Sequence, residues 1–190
     1  SIKRQEELKG KALGITRYGA STDVSLRAYL RKYGLEPDRD VKVLQMGGQP
    51  EILAGMQAGV VHGGILSSPG DFKARKAGYV MLANFAKEGM DYPTTSLVST
   101  RTTIKKDRDS VKRFLMAYSE AVDRLFRDKE LGMRVIGKWT RTEDRETLES
   151  SYEYATNFIE RPPRLPYKAI ENLIVTTAVT DPTAKDRKPE

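Results

Sequence analysis

The sequence predicts an α/β fold with a parallel sheet, followed by a mainly helical region. Short apolar runs alternate with helical patterns of about 10–15 residues as far as Met90, a rhythm typical of βαβ units. After that position, helical patterns follow one another with little sequence between them. The hydrophobic fraction of 38% is high enough for a core. The length of 190 residues suits one ordinary domain, or one lobe and part of another.

The first part of the chain contains four strand candidates separated by three helix candidates. The strands are predicted at 11–16, 41–46, 60–66 and 79–83. The first helix begins at Ser21 or Thr22 and ends before Gly34, which suits the left-handed position after a helix. The second helix opens at Gly47–Pro50 and ends at Gly59, and the third starts at Ser67–Asp71 and ends near Gly78.

The second part is predicted to contain one strand and four helices. The strand, at 94–102, is rich in β-branched residues. Apolar residues at spacings of three and four predict an amphipathic helix through Val111, Phe114, Leu115, Tyr118, Val122, Leu125 and Phe126. Further helices are predicted at 131–138, 143–158 and 167–179, with Trp139 and Tyr154 in a core or an interface. Residues 181–190 are polar and are expected to form a flexible tail.

Composition excludes several classes of function. The net charge of +7 is spread almost evenly along the chain, without basic runs interleaved with aromatic residues, so no nucleic-acid partner is predicted. No apolar stretch approaches the roughly 18 residues of a membrane span, and no signal peptide is predicted within the sequence. With no cysteine and a single histidine, we expect no metal site, no cofactor and no catalytic triad.

Three loops that leave strands and enter helices form the predicted ligand-binding site. In a parallel sheet these loops meet at the carboxyl ends of the strands, where ligands usually bind. Glycines, small hydroxyl side chains and helix starts there would present backbone N–H groups to an anionic or polar ligand. The predicted ligand-binding residues are Arg17, Tyr18, Gly19, Ala20, Ser21, Thr22, Gly47, Gly48, Gln49, Ser67, Ser68 and Pro69.

Simpler structural explanations compete with this prediction. Ser21 or Thr22 and Ser68 are typical helix caps, Ser68 with Asp71 resembles a capping box, and Pro50 and Pro69 suit a first helical position. Asp23 would compete with an anion, an effect that Arg17 could offset. No nucleotide-binding glycine motif or Walker lysine occurs.

His62 lies within a predicted strand beside two glycines. A lone histidine in a strand is usually a hydrogen-bonded structural residue, although a chemical role is the alternative.

The order and spacing of these motifs resemble solute-binding proteins of ABC transporters, of the nitrate, sulfonate, taurine and thiamine-precursor type. The resemblance rests on Leu8-Lys9-Gly10-Lys11, Gly19–Thr22, Gly47–Pro50 with Met56 and Gly59, Ser67–Pro69, and Asp109–Leu115. His62 departs from it, because the family commonly has Asp at that position.

The resemblance implies a type II periplasmic-binding-protein fold, present here as a partial chain. Its α/β ligand-binding lobe, with three αβα layers, would span 8–92, and 93–180 would hold a return strand and helices of an incomplete second lobe. The implied function is capture of a small polar or anionic organic solute between two lobes, without catalysis. The implied partners are an ABC permease and ATPase, and the implied location is periplasmic or extracytoplasmic.

The sequence leaves two alternative functions open. One is the ligand-sensing domain of a transcription regulator with the same fold. The other is an enzyme in which His62 takes part in the chemistry.

Overall fold

The computed structural model describes residues 2–85, 87, 93, 95–178 and 182–188. The chain divides into two compact units. The first contains Ser1–Asp91 and Ile174–Arg187, and the second contains Tyr92–Leu173 and Lys188–Glu190.

The first unit is a parallel α/β structure, as the sequence predicts. In chain order its elements are a 3₁₀ helix at Gln5–Leu8, β1 at Ala12–Ile15, α1 at Ser21–Lys32, β2 at Lys42–Gln45, α2 at Gln49–Gln57, β3 at Gly63–Gly64 and α3 at Gly70–Lys76. The strand order is β2-β1-β3, and both pairings are parallel. The central strand β1 therefore has a neighbour on each side.

One side of α1 packs with β1 and β2 to form the core of this unit. Leu26 and Leu30, four residues apart on α1, are almost completely buried together with Ile15 and Val43 of the sheet. The helix ends before Gly34, as predicted, and the φ of 72° at Gly34 is a left-handed conformation that glycine adopts without strain.

Two of the strand predictions for this unit are wrong: the third strand is shorter than predicted, and the fourth does not form. The third strand pairs with β1 only at Gly63–Gly64, where the two backbones lie so close that a Cβ on Gly64 would be 2.8 Å from the Gly14 carbonyl oxygen. The predicted strand at 79–83 is irregular. Its Leu82 carbonyl accepts a hydrogen bond from the Gln5 side chain at 3.3 Å.

The second unit is built from helices with strongly defined starts. These are α4 at Arg101–Lys106, α5 at Arg108–Arg127, α6 at Lys129–Thr140 and α7 at Arg145–Phe158; α8, at Tyr167–Thr177, begins in this unit. Asp107, Asp128 and Asp144 cap three of them, each accepting the N–H of the residue three positions later at 2.9–3.1 Å. The predicted amphipathic helix is confirmed as α5.

Helix α6 packs closely against its neighbours at Gly132. A Cβ on Gly132 would lie 2.8 Å from a Tyr152 ring carbon and 2.9 Å from a Leu125 methyl carbon. The Tyr152 hydroxyl donates to the Leu125 carbonyl at 2.9 Å, which ties α7 to α5.

The strand predicted at the start of the second unit is wrong. Residues 96–100 are irregular and Thr100 caps α4, so the predicted strand at 94–102 does not form; Thr94 itself lies outside the described residues. Trp139 is 79% exposed and Tyr154 is also exposed, so neither belongs to a core, and their place in an interface stays a prediction. In the predicted tail, Pro182–Ala184 forms a 3₁₀ turn, while 181, 189 and 190 lie outside the described residues.

Candidate ligand site at the carboxyl edge of the sheet

The three predicted loops meet at the carboxyl edge of the parallel sheet. They follow β1, β2 and β3 and lead into α1, α2 and α3. The first loop leaves the central strand, so each of the other two lies beside it. All of the predicted ligand-binding residues lie in these loops or in the first helical turns after them: Arg17, Tyr18, Gly19, Ala20, Ser21, Thr22, Gly47, Gly48, Gln49, Ser67, Ser68 and Pro69.

Tyr18 joins the first loop to the second strand. Its backbone N–H donates to Gln45 Oε1 at 3.0 Å, and its hydroxyl donates to the Val43 carbonyl at 2.9 Å. The N–H of Gly47 donates to the Thr16 carbonyl at 3.0 Å, which extends the parallel pairing into the loops. These three bonds hold the first and second loops side by side.

Gln49 joins the second loop to the third. Its Nε2 lies 2.7 Å from Ser67 Oγ, and its Oε1 accepts the Ser67 N–H at 2.8 Å. One donor and one acceptor position of the carboxamide are therefore used within the protein, so these bonds hold Gln49 in place between the second and third loops.

The start of α1 differs from the prediction. The N-cap is Ala20, not Ser21 or Thr22, and no side chain caps this helix. The Thr22 hydroxyl is buried and accepts the Thr16 N–H at 3.1 Å. Within the described part of the chain, the backbone N–H groups of Ser21 and Thr22 have no acceptor. Those two donors are therefore available at the helix start.

Asp23 is held inside the protein and its charge is compensated. The residue is 5% exposed, and its carboxylate accepts the Gly19 N–H at 2.8 Å and the Arg27 Nε–H at 2.6 Å. Arg27 also donates to Asp38 through Nη1 at 2.6 Å. The expectation that Arg17 would offset Asp23 is wrong, because Arg27, one helical turn along α1, does so. Arg17 is exposed in the loop.

The pKa of Arg27 reflects this arrangement. Burial lowers the pKa, but the hydrogen bonds to Asp38 and Asp23 outweigh burial and leave it above the ordinary value. Arg27 therefore stays charged, and the Asp23 carboxylate has a fixed partner.

The second helix start carries a carboxylate of its own. Gly48 is the N-cap of α2 in an extended conformation, and Pro50 follows in the first turn, one position later than predicted. The Glu51 carboxylate lies against Gly48, where a Cβ would collide with Oε2. This negative charge already stabilises the helix start, so it opposes a second anion there.

The third loop is not capped in the predicted way. Pro69 is the N-cap residue of α3, not its first residue, and no side chain caps this helix. The Ser67 carbonyl accepts hydrogen bonds from the backbone N–H groups of Gly70 at 2.7 Å and Asp71 at 3.2 Å. These are the N–H groups that a Ser68 cap was predicted to bind. The Asp71 carboxylate instead lies 3.3 Å from Arg75.

His62 lies at the opposite, amino edge of the sheet. Its backbone N–H donates to the Ala12 carbonyl at 2.7 Å, and its Nδ1 accepts the Ala12 N–H at 3.3 Å. The structural interpretation of this histidine is confirmed. A shallow depression beside it, lined in part by Lys9, Lys11 and Tyr79, is therefore also remote from the three loops.

The sequence reasoning missed Gln45, Arg27 and Asp38, which organise the first loop. The spacing of Asp23 and Arg27, four residues apart on one helix, was an available signal for their ion pair. Nothing local indicated that Gln45 would reach Tyr18, because the two are far apart in sequence. Among the described residues, no group of His, Cys, Asp or Glu side chains could hold a metal ion.

A solved structure of known fold matches nearly the whole chain. The chain matches the alkanesulfonate-binding protein SsuA from Xanthomonas axonopodis pv. citri bound to MOPS with a TM-score of 0.75 at 21% identity. The match covers 97% of this chain and 61% of that one. The fold is therefore that of a solute-binding protein, as the sequence resemblance implies.

Residues 1–136 match the NMT1-like family model, and the chain belongs to this family. It is also 28% identical over 123 residues to the nitrate/nitrite binding protein NrtA of Nostoc sp. (strain PCC 7120 / SAG 25.82 / UTEX 2576). That alignment covers 64% of this chain and 28% of NrtA, so the chain matches less than two thirds of either relative. Within the described residues, none of the helices has the length and apolar character needed to cross a membrane.

Proposed function

We propose that this chain is part of the substrate-binding component of an ABC uptake system and captures a small polar or anionic organic solute. The family, the fold and the names of NrtA and SsuA support the class of ligand. The observation that carries the proposal is the joining of three loops at one sheet edge, with the Ser21 and Thr22 amides left as free donors there among the described residues.

The chemistry of the site suits binding through backbone amides and one cation. The amides of Ser21 and Thr22 lie at the positive end of the α1 dipole, and the exposed Arg17 guanidinium lies in the same loop. Because Arg27 compensates Asp23, that buried carboxylate opposes an anion less than an unpaired one would. The remaining predicted residues, from Tyr18 to Ala20 and in the other two loops, form the walls of the site.

The proposal includes no chemical turnover. His62, the residue of the enzyme alternative, lies at the other edge of the sheet and binds the Ala12 backbone. The proposed partners are a permease and an ATPase, and the proposed location is periplasmic or extracytoplasmic. The domain limits 8–92 and 93–180 remain a prediction, and no observation favours the transcription-regulator alternative.

Titration calorimetry tests this function directly. Nitrate, MOPS, a short alkanesulfonate, a carboxylate and a neutral pyrimidine are titrated into the protein, and we expect saturable heat from at least one of them. For an anion, Arg17→Ala should weaken binding about tenfold, the loss expected for one charge-assisted contact. Arg39→Ala removes the same charge just before β2, at the amino edge, and should leave the affinity unchanged. The proposal fails if no compound in the panel binds.

A further inference from the structure

Arg27 links the carboxylates of Asp23 and Asp38. Its Nε donates to Asp23 Oδ1 at 2.6 Å, and its Nη1 donates to Asp38 Oδ2 at 2.6 Å. Asp23 uses its other oxygen, Oδ2, to accept the Gly19 N–H of the first loop at 2.8 Å. The side chains of Arg27 and Asp23 are 20% and 7% exposed, so their charges act on one another with little screening by water. Arg27 therefore reaches the first loop through Asp23, from a position inside α1.

Of the three helix starts at this edge, the start of α1 suits an anion best. The Glu51 carboxylate already lies against Gly48 at the start of α2, and α3 is only seven residues long and has a weaker dipole. At the start of α1, the N–H groups of Ser21 and Thr22 have no acceptor among the described residues. The carboxylate of Asp23 follows these two donors directly, so its charge state towards a bound anion decides how well they can act.

We propose that Arg27 is a positioning residue for ligand capture, which acts through Asp23 and makes the start of α1 able to hold an anion. This inference rests on the proposed function. With Arg27 in place, the buried Asp23 carboxylate belongs to a neutral pair. Without the Arg27 charge, that carboxylate would repel an anion over a short distance at low local dielectric. Asp38 holds the guanidinium from the other side, and its own N–H donates to the Val41 carbonyl at 2.8 Å, just before β2.

Calorimetric titration of charge variants tests this role. Nitrate, butanesulfonate and acetate are titrated into the wild-type protein and into three variants, Arg27→Met, Arg27→Lys and Arg31→Met. Arg27→Met should weaken binding of any of these anions that the wild type binds by at least about tenfold, because the Asp23 charge is then unpaired. Arg27→Lys keeps the charge and should lose no more than about threefold. Arg31→Met removes the same charge one helical turn further along α1, where Arg31 lies 3.7 Å from Glu36 at the surface, and should bind like the wild type.

A double variant separates the effect of charge from the structure of the loop. Asp23→Asn combined with Arg27→Met removes both charges, while the asparagine oxygen can still accept the Gly19 N–H. Affinity for the anion should return to within about threefold of the wild type. A merely structural role of Arg27 would leave the double variant as weak as Arg27→Met. Circular dichroism checks that each variant is folded, and Arg27→Gln replaces Arg27→Met in both comparisons if the latter does not fold.

Three results would overturn the inference. It is wrong if Arg27→Met binds an anion as tightly as the wild type does, or if the double variant does not recover. It is also wrong if the wild-type protein binds a neutral pyrimidine but none of the three anions, a result that leaves the proposed capture of a polar solute standing. A wild-type protein that binds no compound at all contradicts the proposed function as well.

Discussion

Gln49 and Ser67, eighteen residues apart, are joined by two hydrogen bonds: the Gln49 carboxamide donates to the Ser67 hydroxyl at 2.7 Å and accepts from the Ser67 amide at 2.8 Å. This pair fixes the distance between the second and third loops. The corresponding connection between the first two loops runs through Tyr18 and Gln45. The edge of the sheet is therefore a connected surface before any ligand arrives.

Replacing Gln49 tests that connection. Gln49→Ala removes both bonds and leaves the part-buried Ser67 N–H without its acceptor, so we expect a loss of about 1–3 kcal/mol in the free energy of unfolding. Gln49→Glu should lose much less, because a carboxylate can accept from both the N–H and the hydroxyl of Ser67. Urea unfolding followed by circular dichroism measures both, with Gln57→Ala, at the exposed end of α2, as the control. Equal losses for Ala and Glu would contradict this role.

The buried pair of Asp23 and Arg27 predicts a strong asymmetry between single and double variants. Asp23→Ala leaves Arg27 with Asp38 as its remaining carboxylate partner and removes the acceptor of the Gly19 N–H, so we expect about 2–4 kcal/mol of destabilisation. Adding Arg27→Met should recover part of that loss, since the partly buried charge is removed together with its partner. Thermal unfolding of the two single variants and the double variant measures the coupling. Strictly additive losses would show that the pair is not coupled.

Two adjacent glycines in β3 are expected to respond differently to the same substitution. Gly64→Ala would place a Cβ 2.8 Å from the Gly14 carbonyl oxygen, a backbone atom that cannot move aside, and should cost about 2–3 kcal/mol. In Gly63→Ala the nearest atom is a Leu13 methyl carbon at 3.2 Å, which a small side-chain rotation relieves, so the loss should stay below about 1 kcal/mol. Urea unfolding of both variants makes the comparison, and a reversed order would show that β3 does not pair closely with β1.

The cap at the start of α6 is a local test of the second unit. The Asp128 carboxylate accepts the Leu131 N–H at 2.9 Å, and Asp128→Ala should cost about 1 kcal/mol. Asp128→Asn keeps a side-chain acceptor and should cost only a few tenths of that. Hydrogen exchange of the first amides of α6 should accelerate in the Ala variant, while the α1 amides serve as the internal control. Unchanged exchange at α6 would show that the cap does not stabilise the helix.

The sequence by itself determined the features that depend on near neighbours along the chain. The parallel α/β class follows from the alternation of apolar runs and helices, the end of α1 follows from Gly34, and the amphipathic pattern of α5 follows from spacings of three and four. The loop residues of the candidate site were also predictable, because parallel strands bring their following loops to one edge. Ligand contacts of those residues remain a prediction.

Only the tertiary structure decided which groups at that edge are already bonded to one another. Asp23 accepts a hydrogen bond from the Gly19 N–H, and Gln45 accepts one from the Tyr18 N–H. The nitrogen and the oxygen of the Gln49 carboxamide are both hydrogen-bonded to Ser67. The short length of the third strand could not be predicted either. Nothing in the local sequence indicates that the Gly64 backbone lies against Gly14. Hydrogen-bond partners and close backbone approaches across many residues depend on how elements pack, and no local pattern of residue types specifies that packing.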